Sequence, residues 1–283
     1  MDTPDIERAI AAATAIARSQ GLPADEATVL HNSNKLALRI TPGDTFARVA
    51  PLGEEVAQFE VDLARQLATS GSPVVSLEPR VEPKVYVEDG FAVTLWTYYE
   101  PLTPHVSPIE YADALQRLHV GMRTIGLPSP RFTDRVAEAE EIVDDPTRSP
   151  ELSDADRAFL GDRLRSVRKA IEERGAAEQL LHGEPHPGNL LATEAGTLFI
   201  DFETCCRGPV EFDLAHVPQA VCDHYPGIDA ELLDACRQLV LAMVAAWRWD
   251  AGDQFPDGRR FGEELLRSLR AGAPWPTLDT LAG

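Results

Sequence analysis

No run in this 283-residue chain approaches the roughly 18–20 consecutive apolar residues that cross a bilayer, so no membrane-spanning helix is expected. The N-terminal stretch is acidic and passes into an alanine-rich helical pattern, so a signal peptide is not expected. Cysteine is scarce. Cys205 and Cys206 are adjacent, Cys222 and Cys236 stand apart, and no Cys-x-x-Cys pair exists. A zinc cluster or a disulfide framework is therefore not expected, and the cytoplasm is the expected compartment. Positive charge is short too. Lys plus Arg number 26 against 46 Asp plus Glu, a net charge of −20. That argues against nucleic-acid backbones and anionic membranes as partners and suits a cationic small molecule or a solvated acidic surface. No internal repeat is evident. Length and ordinary hydrophobic content predict one body of two lobes.

What is present falls into two halves. A helix is expected from Thr3, as cap, to about Ser19, ended by Gly21 and Pro23. Short alternating runs follow at 28–31, 35–40, 45–50, 73–77, 84–87 and 91–96. Pro42-Gly43-Asp44 and Glu88-Asp89-Gly90 read as hairpin turns, the first with Pro fixing φ and Gly accepting positive φ. One helix, about 53–69, is inserted, with Val56, Glu60, Leu63 and Leu67 on a single face. The first hundred residues thus predict a five-stranded antiparallel sheet with an inserted helix. After the aromatic, proline-containing linker 97–104 the period becomes helical, at about 108–124, 132–143, 153–174, 210–225, 228–249 and 259–269. The Pro/Gly-rich tail is expected to fray. Sheet first and helices second predict an α+β, two-lobed fold: a lobe over 1–96, a linker over 97–104 and a helical lobe over 105–283.

The chemistry gathers in His182-Gly183-Glu184-Pro185-His186-Pro187-Gly188-Asn189 and in Ile200-Asp201-Phe202-Glu203. Two prolines and two glycines in eight residues forbid a helix. His182 and His186 cannot then share a helical face, and a zinc hydrolase built on His182, Glu184 and His186 is disfavoured. A strand–turn–strand hairpin separates Asn189 from Asp201. A carboxylate, an amide oxygen and a second carboxylate are hard oxygen groups suited to Mg²⁺ and a hydroxyl nucleophile. In this reading Glu184 orients the proton of a substrate hydroxyl or accepts it, and Asn189 and Asp201 hold the metal. Glu60, an acid on an apolar face, needs a partner, and Arg48 on the preceding strand is the candidate. The turn His31-Asn32-Ser33-Asn34 either presents backbone N–H groups to an anion or is simply a turn.

This arrangement resembles the catalytic loop of the aminoglycoside phosphotransferase family, also called the phosphotransferase enzyme family. Its pattern is His-Gly-Asp, four residues, Asn, then Ile-Asp-Phe/Trp-Glu. Here it reads His182-Gly183-Glu184, four residues, Asn189, then Ile200-Asp201-Phe202-Glu203. Gly208-Pro209 followed by Asp213-Leu214-Ala215 is similar to the helix start that comes next in the family. The resemblance implies a protein-kinase-like fold and an ATP- and Mg²⁺-dependent transfer to a hydroxylated small molecule. An aminoglycoside or other cationic compound, a sugar or an amino alcohol are the acceptor classes. It implies nucleotide contacts from Ser33, Asn34, Arg48 and Glu60, adenine against Thr97, Tyr98 and Tyr99, structural roles for His182 and Asp213, and a substrate-facing Glu203. Two positions depart from the pattern. Glu184 stands where the family has Asp, one methylene longer. Misplacement by about 1 Å can slow a reaction about 10²-fold, so a nucleotide-binding protein without turnover is the alternative. Arg48 stands for the usual Lys and is always charged.

Overall fold

The computed structural model describes residues 1, 3–32, 35–53, 56–102 and 106–281, leaving aside the side chains of residues 3 and 4. The chain divides into two compact units. Unit 1 is Met1–His105 with Thr124–Leu127 and Leu191–Glu203; unit 2 is Val106–Arg123, Pro128–Leu190 and Thr204–Gly283. Two interior segments therefore join the N-terminal unit, a grouping that no single cut at the linker would produce.

Unit 1 runs α1 (Thr3–Ser19), β1 (Glu26–Asn32), β2 (Leu36–Thr41), β3 (Thr45–Pro51), α2 (Val56–Leu67), β4 (Tyr86–Glu88) and β5 (Phe91–Thr97). The five strands form one antiparallel sheet in the order β1-β2-β3-β5-β4. Period-2 alternation gives it two faces. Leu36, Leu38, Ile40, Ala47, Val49, Val93 and Leu95 pack against Ala9, Ala12, Ala13, Ile16 and Ala17 of α1. The small side chains of α1 let the helix lie close on the sheet. Each fully buried Leu or Ile there contributes roughly 1.5–3 kcal/mol. On the other face Ala37, Arg48 and Thr94 stand side by side in register. That face carries the charge described below.

Two details differ from the sequence expectation. The stretch 73–77 is not a strand of the sheet. It makes only isolated bridges, Val74 with Phe199 and Leu77 with Trp96. Pro73 has no N–H to donate, which limits a ladder. The turn Pro42-Gly43-Asp44 forms, but Gly43 does not use positive φ. The β4–β5 turn does use it, with Asp89 at φ 46° and Gly90 at φ 82°, as a two-residue hairpin of that hand requires.

Unit 2 is mostly helical. Its first elements are α3 (Pro108–Met122), α4 (Phe132–Asp144), α5 (Asp154–Arg174) and the short strand β6 (Gln179–Leu181). The hairpin β7 (Leu190–Thr193) and β8 (Gly196–Phe199) follows and, from Leu191, belongs to unit 1. It is tied there by Phe199 N–H to Pro73 O (2.8 Å) and Leu102 N–H to Ala192 O (2.8 Å). Unit 2 resumes with β9 (Cys206–Gly208), α6 (Val210–Leu214), α7 (Gln219–Cys222), α8 (Ala230–Trp249), α9 (Gly258–Ala271) and α10 (Leu278–Leu281). β9 pairs antiparallel with β6. Helix α8, with Leu239, Val240 and Met243 buried, is the hub on which α4, α5, α6 and α9 pack. Caps are set by sequence: Ser107 and Glu110 form a capping box on α3, Ser153 accepts from Asp156 N–H on α5, and Asp229 caps α8.

The single helix expected over 210–225 is instead α6 and α7. Pro218 has no N–H for the ladder, and its ring disfavours a helical residue before it. The tail is also more ordered than expected. Trp275 Nε1–H donates to Asp234 (3.0 Å), Thr277 is buried, and α10 closes the described chain. Among the described residues no helix is long and apolar enough to cross a membrane.

Candidate active site

In unit 1, one face of the sheet and the end of the β7–β8 hairpin share a charged network. Glu60 projects from α2 and is only 3% exposed. Its Oε1 accepts from Arg48 Nη1 of β3 at 2.5 Å. Arg48 Nη2 donates to Asp201 Oδ1 at 2.9 Å and lies 3.8 Å from Glu203. Lys35, just before β2 and itself buried, places Nζ 3.4 Å from Glu60 Oε2 and 2.6 Å from Glu203 Oε2. Two bases thus face three carboxylates. Burial works against the charge on Arg48, but Glu60, Asp201 and Glu203 outweigh it and raise its pKa. Burial pushes the Glu60 carboxyl up, against the pull of Arg48 and Lys35. Asp201 sits at φ 66°, a left-handed backbone that Asp tolerates better than most residues and that turns its carboxylate away from the strand course.

The linker residues are also placed in unit 1. Thr97 N–H donates to Ser76 O (2.9 Å) and Tyr98 N–H to Asp44 O (2.7 Å), so both amides are occupied. The Tyr98 ring lies under the Arg39 guanidinium at 4.0 Å, and Tyr99 OH donates to Ser76 Oγ (3.2 Å). A base contact from Thr97 or Tyr98 would have to come from side chains or carbonyls. Ser33 and Asn34 lie outside the described residues.

In unit 2 the chain leaves β6 into the loop through Gly183, at φ 90°. A Cβ there would collide with the Thr204 carbonyl, so only glycine fits. Asp213 of α6, fully buried, accepts His182 N–H (2.9 Å) and Gly183 N–H (2.8 Å) and pairs with His119 Nε2 (2.9 Å). Burial raises the Asp213 carboxyl, but these partners win and hold it below the ordinary range. His119 in turn meets Tyr225 OH at 2.7 Å. His182 is buried without exposure, Tyr111 OH donates to Pro185 O, and His186 Nδ1 accepts Gly188 N–H (3.0 Å). The loop is therefore pinned at both ends. Among the described residues no group of three His, Cys, Asp or Glu side chains is arranged to hold a metal ion.

Glu184 stands in the middle of this loop. Its Oε1 accepts from Arg135 Nη2 at 2.6 Å. Arg135, from the buried face of α4, also donates to Thr204 O (3.3 Å) and lies 5.4 Å from the Trp247 ring. Burial tends to raise the Glu184 carboxyl, but Arg135 outweighs it and holds it below the ordinary glutamate value. Its Oε2 has no partner among the described residues. Beside it His216 is buried, its pKa pushed down to about 4 by that burial, with Nε2 lacking a partner among the described residues. All four cysteines are free and buried, and burial pushes the Cys206 thiol up, so they are packing residues.

A Mg²⁺-type ion needs hard oxygens, and the residues offer them. Asn189 Nδ2 donates to Glu184 O at 3.0 Å, which fixes its nitrogen and leaves the amide oxygen without a partner among the described residues. Asp201 keeps Oδ2 without a partner among the described residues. Sequence reasoning missed Lys35, Arg135 and His216. Arg135 had a signal: it falls with Phe132, Val136 and Ala139 on the apolar face of α4.

The profile of the phosphotransferase enzyme family matches residues 29–253. No protein of curated function matches the sequence significantly. Among solved structures, an amicoumacin kinase in complex with AMP-PNP, Ca²⁺ and Ami superposes with a TM-score of 0.71 at 12% identity, covering 99% of this chain and 100% of that one. A choline/ethanolamine kinase family protein from Mesorhizobium loti gives 0.66 at 18%, covering 98% of each chain. A spectinomycin phosphotransferase in complex with ADP and spectinomycin gives 0.64 at 14%, covering 90% and 92%.

Proposed function

Because this chain belongs to the phosphotransferase enzyme family and is a small-molecule phosphotransferase, we propose that it moves the γ-phosphate of Mg·ATP to a hydroxyl of a small acceptor. The observation that carries the reading is Arg48, held at 2.5 Å by Glu60 and reaching Asp201 at 2.9 Å. A base fixed between a buried acid and an unsaturated carboxylate is suited to phosphate oxygens. In this reading Arg48 contacts the nucleotide phosphates and Glu60 keeps it aimed. Asn189 and Asp201 offer oxygens to the metal. A Mg²⁺ ion held there would offset the negative charge of the phosphates. Glu184 Oε2 orients the acceptor hydroxyl and takes its proton. The acceptor O–P bond forms as the bond from the γ-phosphorus to the bridging oxygen breaks, and ADP leaves. The net charge of −20 and the kinds of acceptor named for the structural neighbours favour a cationic, hydroxyl-bearing compound: an aminoglycoside-like molecule or an amino alcohol ahead of a neutral sugar.

The test is ADP release from Mg·ATP across a panel of hydroxylated amines and sugars. Turnover stimulated by at least one acceptor and abolished by Asp201→Asn supports the reading; turnover unchanged in that variant removes Asp201 from the metal role. A second reading, nucleotide binding without transfer, is favoured by the ion pair between Glu184 and Arg135. It prevails if Mg·ATP binds, no acceptor stimulates ADP release, and Glu184→Asp creates activity.

A further inference from the structure

Arg48 alone would neutralise Glu60, yet a second base is buried beside it. Lys35 is 8% exposed. Residues 36, 38 and 40 of β2 turn toward α1, so alternation puts residue 35 on the opposite face, the one carrying Arg48. The two oxygens of Glu60 are divided between these bases, Oε1 to Arg48 and Oε2 to Lys35. Glu60 therefore positions two cations. Their other partners differ in kind from Glu60. Asp201 and Glu203 lie on one turn after the hairpin and are 35% and 30% exposed as side chains, against 3% for Glu60. Lys35 makes its shortest contact, 2.6 Å, with Glu203, the replaceable one. A lysine ammonium has three donors, and the two carboxylates leave one in hand.

We infer that Lys35 is a second phosphate-binding residue, anchored permanently by Glu60 and held by Glu203 until polyphosphate oxygens take Glu203's place. This rests on the nucleotide reading above. Lys35 keeps its buried anchor and exchanges one carboxylate for a more highly charged anion, so no base is stranded at any stage. Glu203 is then a placeholder for the nucleotide, not an acceptor contact.

The experiment is calorimetric titration of the full chain with Mg·ATP, and with Mg·GTP beside it, for the wild type, Lys35→Met, Lys35→Arg and Glu203→Gln, with the melting temperature of each unliganded protein. The inference expects Lys35→Met to weaken nucleotide binding by about tenfold or more. Lys35→Arg restores most of it, and Glu203→Gln matches the wild type or binds more tightly, because the competing carboxylate is gone. Wild-type affinity in Lys35→Met overturns the inference. So does Glu203→Gln weakening binding as much as Lys35→Met does, since Lys35 would then be structural. A Lys35→Met protein that melts far below the wild type is judged on the other two variants. Wild-type protein that binds neither nucleotide overturns the nucleotide reading itself, which is a different result from a change confined to the variants.

Discussion

Glu184, one of the two positions that depart from the pattern this chain resembles, is paired with Arg135, and the strength of that pair can be measured. The perturbation is a double-mutant cycle: Arg135→Met, Glu184→Gln and the two together. The side chains are 11% and 22% exposed and their charged atoms are 2.6 Å apart. Breaking a fully buried pair costs about 3–5 kcal/mol because a charge is left stranded. An exposed pair contributes about 1 kcal/mol or less. The exposure of Glu184 places this pair between them, so the expected coupling is about 2–3 kcal/mol. The assay is urea unfolding of the four proteins at pH 7, followed by tryptophan fluorescence; three of the four tryptophans, Trp247, Trp249 and Trp275, lie in unit 2. Arg135→Met alone should be the least stable, and adding Glu184→Gln should recover part of the loss. Because the folded Glu184 carboxyl lies below its ordinary value, the coupling is fully present above the unfolded glutamate pKa and fades as pH falls through the folded one. Coupling below about 0.5 kcal/mol at pH 7 would refute the argument that Arg135 fixes the longer carboxylate.

Three further outcomes are expected. Gly183→Ala should lower turnover by about 10²-fold or more and reduce the melting temperature, since φ 90° and the Thr204 carbonyl both exclude a side chain; kinetics and a thermal melt check it. Asp213→Ala leaves His182 N–H and Gly183 N–H buried without acceptors, and should cost about 3–5 kcal/mol in denaturant unfolding. His216 protonates near 6.5 when unfolded and near 4 when folded, so the unfolded state binds the extra proton between those values. The wild type should thus lose about 3 kcal/mol of stability as pH drops across that window, and His216→Leu should lack that slope.

The sheet, its order of elements and the helical second half were legible because alternation and helical periods are local properties. Glu60 was legible as a paired acid for the same reason: a charge on an apolar helix face demands a partner, and Arg48 was the nearest strand base. Arg135 obeys the same rule on α4, but that helix reads as a short acidic one until its buried face is drawn. Lys35 gives no such sign. It is one lysine at the edge of an alternating run, and Glu203 reaches it from a hairpin far along the chain. Strands β6 and β9, three residues each, are too short to show a period. The break at Pro218 was readable from proline alone and marks a helix boundary that the apolar pattern runs straight across.

The membership of Leu191–Glu203 in unit 1 sets a clock on synthesis. Residues 1–105 leave the ribosome first, yet Asp201 and Glu203 emerge 96 and 98 residues later. At about 5–20 residues per second that is a delay of roughly 5–20 s. Throughout it Lys35 and Arg48 have only Glu60 between them, and the sheet face carries an unmatched positive charge. The N-terminal sheet can assemble early, but it is completed late, and a fragment ending at residue 105 would keep both bases with Glu60 but without Asp201 and Glu203.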